Sequence, residues 1–251
     1  MTIPNRIFNR PFRVNEMSDF AMRGQLKRGL NIDQYTTVLH QFDSLTVDSL
    51  GRSWTVQGNA KLVANMGRFG GNALFMDGSS SYGLKTPATA DFNLGTGDFT
   101  IDFWFCLLNS NNTQGALCSY SVDERLGMAC NMQGGNNLGM GASTTGNSWD
   151  LFPPDSGQAG CYSSPGWTVG AYNHIVMARH GTTFYGFLDG VTKQQITGKS
   201  GAIYYDSSNY FQLGNWGANG FASACGLMSD FRLSKGIARW TANFTPPTAP
   251  Y

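Results

Sequence analysis

The run Gly97-Asp98-Phe99-Thr100-Ile101-Asp102-Phe103-Trp104-Phe105-Cys106-Leu107-Leu108 constrains the fold of this chain most. Phe99, Ile101, Phe103, Phe105 and Leu107 recur at every second residue, with Thr100, Asp102, Trp104 and Cys106 between them. A period of two is that of a strand, whose successive side chains point to opposite faces. A helix would spread these aromatics around its axis. A strand face this apolar requires a second layer to cover it.

The rest of the chain offers sheet for that layer. Short alternating or apolar runs recur at residues 36–43, 53–60, 72–86, 116–122, 125–132, 137–144, 173–179, 182–189, 191–197, 210–214 and 226–234. Glycine turns separate them, and Asp77-Gly78 reads as a hairpin turn between two strands. The 32 glycines, 13% aromatic residues and 13% charged residues suit short strands and tight turns. The pattern predicts an all-β, two-sheet antiparallel sandwich over residues 36–251. No helix longer than a single turn at Lys235–Arg239 is expected.

Residues 1–35 differ. Six basic residues (Arg6, Arg10, Arg13, Arg23, Lys27, Arg28) face three acidic ones (Glu16, Asp19, Asp33), and Phe8, Phe12 and Phe20 follow no structural period. Such a segment cannot bury enough surface to fold alone. It is expected to be an extended basic-aromatic arm that orders on a partner. Phe8, Phe12 and Phe20 would be its apolar anchors, and Arg6, Arg10 and Arg13 would pair with carboxylates.

Several functions are disfavoured. A formal net charge of +1 argues against a nucleic-acid partner. No apolar run reaches the length of a membrane span or of a signal-peptide core, so synthesis in a cytoplasm without membrane insertion is expected. Cys106, Cys118, Cys130, Cys161 and Cys225 are odd in number and form no CxxC pair, which predicts free thiols and no zinc. Asp77, Asp123, Asp155 and Asp189 lie on candidate turns without clustering. A calcium ion needs six to eight oxygens, so no metal ligand is assigned and no cofactor is expected. Glycoside hydrolysis needs two carboxylates flanking one bond. Asp102 stands alone in its strand, and Asp123 and Glu124, as neighbours, would point to opposite faces. His174 is expected to be a packed, hydrogen-bonded strand residue. Sugar binding has better candidates. Trp149, Tyr162 and Trp167 in the irregular stretch 145–172, and Trp216 in Leu213-Gly214-Asn215-Trp216-Gly217, are aromatic faces among amides and hydroxyls.

Four stretches together resemble one family. Residues 68–85 (RFGGNALFMDGSSSYGLK), 94–105 (LGTGDFTIDFWF), 171–190 (AYNHIVMARHGTTFYGFLDG) and 226–250 (GLMSDFRLSKGIARWTANFTPPTAP) are similar to LamG-like jelly rolls of the concanavalin A-like lectin/glucanase superfamily. Where that family carries a Trp-His-His cluster, this chain has Tyr172-Asn173-His174, and only His174 matches. The resemblance implies a concanavalin A-like jelly roll whose first and last strands lie side by side. The Lys235–Arg239 turn and Trp240 would cover a sheet edge or sandwich corner, and Pro246 and Pro247 would stop further pairing. This type of ending resembles that of virion proteins of tailed bacteriophages and of bacterial surface proteins. The function it implies is a non-enzymatic structural virion protein, a capsid- or tail-attached decoration module with weak glycan binding. Its partners would be other virion proteins, a host surface glycan and further copies of itself. The alternative is a freestanding carbohydrate-binding protein or host-recognition adhesin.

Overall fold

A computed structural model of the chain describes residues 32–78, 83–108, 114–122, 125–133, 137–152, 168–215 and 225–251. In chain order the strands are β1 (Thr36–His40), β2 (Thr55–Gln57), β3 (Lys61–Val63), β4 (Ala73–Asp77), β5 (Gly83–Pro87), β6 (Phe99–Leu107), β7 (Gln114–Val122), β8 (Arg125–Gln133), β9 (Asn137–Ala142), β10 (Tyr172–His180), β11 (Thr183–Leu188), β12 (Val191–Ile196), β13 (Tyr210–Leu213) and β14 (Cys225–Lys235). One sheet runs β12-β11-β10-β6-β14-β4-β3, with β1 also paired to β14; the other runs β2-β5-β13-β7-β8-β9. All pairings are antiparallel.

The two sheets close on one core, and β6 lies near the middle of the larger sheet. Its alternate residues Phe99, Ile101, Phe103, Phe105 and Leu107 all enter that core. Leu84, Cys118, Tyr120, Cys130, Met140, Phe211 and Leu213 meet them from the smaller sheet. Phe231 of β14 joins the layers, with its ring 5.9 Å from Phe103 and 5.6 Å from Phe211. As expected, the first and last strands are neighbours: Thr36 faces Ser234, and His40 faces Phe231.

Three expectations are corrected. Asp77-Gly78 does not turn a hairpin. β4 pairs with β3 and β14, whereas β5 pairs with β2 and β13 in the opposite sheet. Leu74 and Met76 enter the core from one side and Leu84 from the other, so the chain crosses between layers instead of doubling back. The segment Lys235–Arg239 forms no helical turn; the helical turn among the described residues is a 3₁₀ turn at Ala90–Phe92. Finally, the tail covers a sheet face instead of an edge. Trp240 and Phe244 stack with centroids 4.2 Å apart and pack on Val176, Ala178, Tyr185 and Phe187, on the outer side of β10 and β11. Those strands are apolar on both faces, as strands covered on both sides are, and the tail is the second cover. Hydrogen bonds fix it there: the Phe244 amide donates to Gly190 O at 2.9 Å, and the Asn243 side-chain Oδ1 accepts from the Thr192 amide at 2.8 Å.

Candidate functional site

Asp102 leaves β6 on this strapped outer face and is fully buried. Arg232, its register partner on β14, donates Nε to Oδ1 at 3.0 Å and Nη2 to Oδ2 at 2.8 Å. His174 Nε2 lies 3.5 Å from Asp102 Oδ2 and 2.8 Å from the Tyr251 hydroxyl. The Arg232 guanidinium sits 3.9 Å from the centre of the Tyr251 ring, and Tyr251 O accepts from Gln41 Nε2 at 2.8 Å. Burial alone would raise the Asp102 carboxyl. The charge of Arg232 and the hydrogen bonds of His174 and Arg232 outweigh it and hold the group well below the usual carboxylate range. Burial, then the charge of Asp102, pushes the Tyr251 phenol well up.

This arrangement is a lock, unsuited to acid–base chemistry. Both Asp102 oxygens are engaged and no solvent reaches them, so the group can neither protonate a leaving oxygen nor attack an anomeric carbon. Asp230, a second carboxylate on β14, is also fully buried and takes a hydrogen bond from the Ser229 hydroxyl. The chain's two glutamates, Glu16 and Glu124, lie outside the described residues, as do Asp123 and Asp155. Asp189 is engaged by the Asn173 side-chain amide and the His174 backbone amide. Among the described residues no cluster of three or more His, Cys, Asp or Glu side chains is placed to hold a metal ion, and no helix is long and apolar enough to cross a membrane.

Beside the lock, a cavity of about 680 Å³ opens between the tail and the start of the described chain, lined by Ile32, Asp33, Arg239, Trp240, Pro250 and Tyr251 among others. Its charges are paired internally. Arg239 Nη2 donates to Asp33 Oδ1 at 2.9 Å, and this bond is the main reason the Asp33 carboxyl falls to about 2.

The outer face of the smaller sheet has a different chemistry. Leu84, Leu213 and Cys118 form one core row across β5, β13 and β7, so the adjacent row of Lys85, Gln212 and Ser119 points outward. Tyr210 shares that face, with Lys85 Nζ 4.7 Å from the centre of its ring. At one end Asn215 Nδ2 donates to Gln57 Oε1 at 3.2 Å, and Ser119 Oγ donates to Asn215 O at 2.8 Å. Gln212, Ser119 and Asn215 are buried in this row, and the half-buried Gln57, Lys85 and Tyr210 bring an amide, an ammonium and an aromatic ring to the surface. These are the groups that bind sugar hydroxyls and apolar sugar faces. The sequence reading missed this row. Its signal was the alternation of Tyr210, Phe211, Gln212 and Leu213, which marks two of its residues as outward.

The sequence-predicted aromatics are placed as follows. Trp149 is half-buried in the turn after β9, which is tied by Thr144 Oγ1 donating to Asp150 Oδ2 at 2.6 Å and by Lys199 Nζ donating to Asp150 O at 2.8 Å. Tyr162, Trp167 and Trp216 lie outside the described residues, as do Arg6, Phe8, Arg10, Phe12, Arg13 and Phe20. The strands still fix where the loops attach. Asn215, before Trp216, follows the end of β13 that pairs with Cys118, whereas Trp149 follows the end of β9 that pairs with Met128. These are opposite ends of the sheet.

His174, as expected, is a packed strand residue, fully buried and hydrogen-bonded. Arg179, which the sequence did not single out, is a buried clasp. It donates to the carbonyls of Gly95, Gly181, Lys199 and Gly201 at 2.8–3.2 Å and so gathers three loops at one end of the sandwich.

The concanavalin A-like lectin/glucanases superfamily, in a laminin G form, matches residues 77–239. The chain belongs to this superfamily. No curated protein matches this laminin G-type chain in sequence. Solved structures share its fold. Domain 4 of AbnA, a GH43 extracellular arabinanase from Geobacillus stearothermophilus determined in complex with arabinotriose, superimposes with a TM-score of 0.54 at 16% identity, over 80% of this chain and 92% of that one. The receptor-binding domain of botulinum neurotoxin C/D mosaic serotype gives 0.58 at 10% identity, over 82% and 49%. Trypanosoma rangeli sialidase in complex with sialic acid gives 0.55 at 12% identity, over 82% and 32%. The laminin G-type chain therefore spans about half of the neurotoxin domain and about a third of the sialidase. At these identities the likeness is one of fold.

Proposed function

We propose that this chain is a non-catalytic carbohydrate-binding module whose ligand lies on the outer face of the smaller sheet, against Gln57, Lys85 and Tyr210. The observation that carries this reading is the contrast between the two outer faces. One is sealed by an apolar tail over an engaged carboxylate; the other carries the half-buried Gln57 amide and the Lys85 ammonium over the half-buried Tyr210 ring. Support for the ligand class comes from the superfamily and from fold neighbours, among them an arabinanase domain determined with arabinotriose. A glycan array with the full chain, followed by titration of the hits, tests it. Tyr210→Ala and Lys85→Ala should each weaken binding several-fold without loss of fold. Wild-type affinity in both variants would place the ligand elsewhere. Incubation with β-glucans should release no reducing ends.

We further propose that the module is carried on a tailed-phage virion, at capsid or tail, by residues 1–35, with other virion proteins and further copies of itself as partners. The support is the resemblance of the closing strand and tail to that class of proteins, together with the basic-aromatic composition of the arm. The internally paired cavity beside Ile32 lies where that arm joins the sandwich. A freestanding adhesin would have the same binding face. Finding the chain in purified particles separates the two readings.

A further inference from the structure

Cys118 of β7 and Cys130 of β8 stand directly opposite each other. Opposed residues of an antiparallel pair have Cα atoms about 4.5–5.5 Å apart, within the span of about 4.4–6.8 Å that a disulfide bridges. Both side chains enter the core from the same face, and both are fully buried and free. A hydrogen bond between the two thiols, reinforced by burial, keeps Cys130 protonated well above the ordinary thiol range.

Among the described residues, each of the two cysteines has the other as its thiol neighbour. Next to Cys130 on its far side is Met140 of β9, and next to Cys118 is Leu213 of β13. Cys106 belongs to the other sheet and packs with Leu227 and Ala73. The β7–β8 register shifts on both sides of Cys118, between Ala116 and Cys118 and between Tyr120 and Ser121. Such irregularities increase local twist and supply the adjustment that a bridge's dihedral requires.

We propose that Cys118 and Cys130 form a latent disulfide site, a cross-strand bridge that closes the β7–β8 pair when the protein meets an oxidant of the small-molecule disulfide class. One protein thiol loses its proton and attacks the small disulfide, releasing one small thiol and leaving a mixed disulfide. The second protein thiol then displaces the second small thiol. Two S–H bonds break and one S–S bond forms in the protein. The small disulfide takes up two electrons and two protons and becomes two thiols. Burial makes the reaction slow, because a thiolate must form and be reached. Access comes through local opening of the sheet edge, where β9 is the last strand. The site therefore stays reduced through brief oxidation and closes under sustained oxidation.

The test is a time course of the full chain with oxidised glutathione, quenched with an alkylating agent and mapped as non-reduced peptides. The expected product is a peptide pair joined through Cys118 and Cys130, two hydrogens lighter, carrying no glutathione and cleaved by dithiothreitol. It should appear after the more accessible thiols have reacted, and faster in urea below the unfolding transition. Cys118→Ala should leave Cys130 unbridged. The wild-type map decides the matter even if that variant does not fold. Bridges from either residue to Cys161, lasting glutathione adducts on both, or two reduced thiols after prolonged exposure would each overturn the proposal.

Discussion

His40 carries a pH dependence that its neighbours dictate. Its ring is fully buried between Phe42, at 4.3 Å, and Trp54, at 5.4 Å, and Nδ1 accepts from the Phe42 amide. Burial lowers its pKa from 6.5 to about 3. The folded protein therefore keeps this imidazole neutral while the unfolded chain protonates it below about 6.5. Stability is complete above that pH and falls as the pH drops toward 3, since the unfolded state binds the extra proton. Denaturant melts from pH 7 to 4 should show this loss, and His40→Gln should flatten the curve. Asp102, held below its usual range, adds a further loss as the pH falls below about 4, where the unfolded chain protonates this carboxylate and the folded protein does not. Phe103→Ala should cost about 3–5 kcal/mol, since it empties a fully buried site against Phe231; a near-neutral melt would contradict the facing of β6. The inward run of β6 was legible because its period is local. The partner of Asp102 was not, because Arg232 lies far along the chain and only the register of β14 on β6 brings them together.

At the scale of elements, every long strand could be read from alternation, whereas the sheet that each joins could not. Asp77-Gly78 has hairpin chemistry, but Leu84 fills the core from the side opposite to Leu74, and burial overrode the turn signal. The tail shows the same limit. Trp240, Phe244 and the prolines were visible as a covering segment; the surface they cover was set by the double apolar faces of β10 and β11. Its seat depends on Gly190, where φ is +75° and a Cβ would meet Phe244 O at 1.9 Å. Gly190→Ala should lift the tail, at a cost of at least about 1–3 kcal/mol for the backbone conformation alone. Hydrogen exchange over residues 240–251 should rise, and an apolar dye should bind the bared Val176, Tyr185 and Phe187. Unchanged protection of that segment would show that Trp240 and the Tyr251 contacts suffice without Gly190.

For the whole molecule, the sandwich and its superfamily could be read from the sequence, because alternation and turn residues act locally. The proposed binding face could not, because Gln57, Lys85 and Tyr210 come from β2, β5 and β13, short strands distant in sequence. Deleting residues 1–31 tests the arm. The described domain keeps Asp33, whose carboxylate takes bonds from Arg239 and Thr36, so it should remain folded with a near-native melt. A collapse in stability would make the arm part of the core.

The pairing of Thr36 with Ser234 also gives the domain a direction. Ile32 lies just before Thr36, so a tether through the residues that precede it pulls from that pole of the sandwich. β1, β6 and β14 then point their other ends away from the tether, toward Leu107, Leu108 and Cys225. Gln57, Gly83 and Asn215 sit at that distal pole, where the chain passes between the sheets after Asp77. Trp149 stays at the proximal one. A module held by its arm would therefore offer the Gln57–Asn215 rim outward, with exposed Leu108 and Val169 at the same pole, and keep the Trp149 turn facing the surface on which it stands.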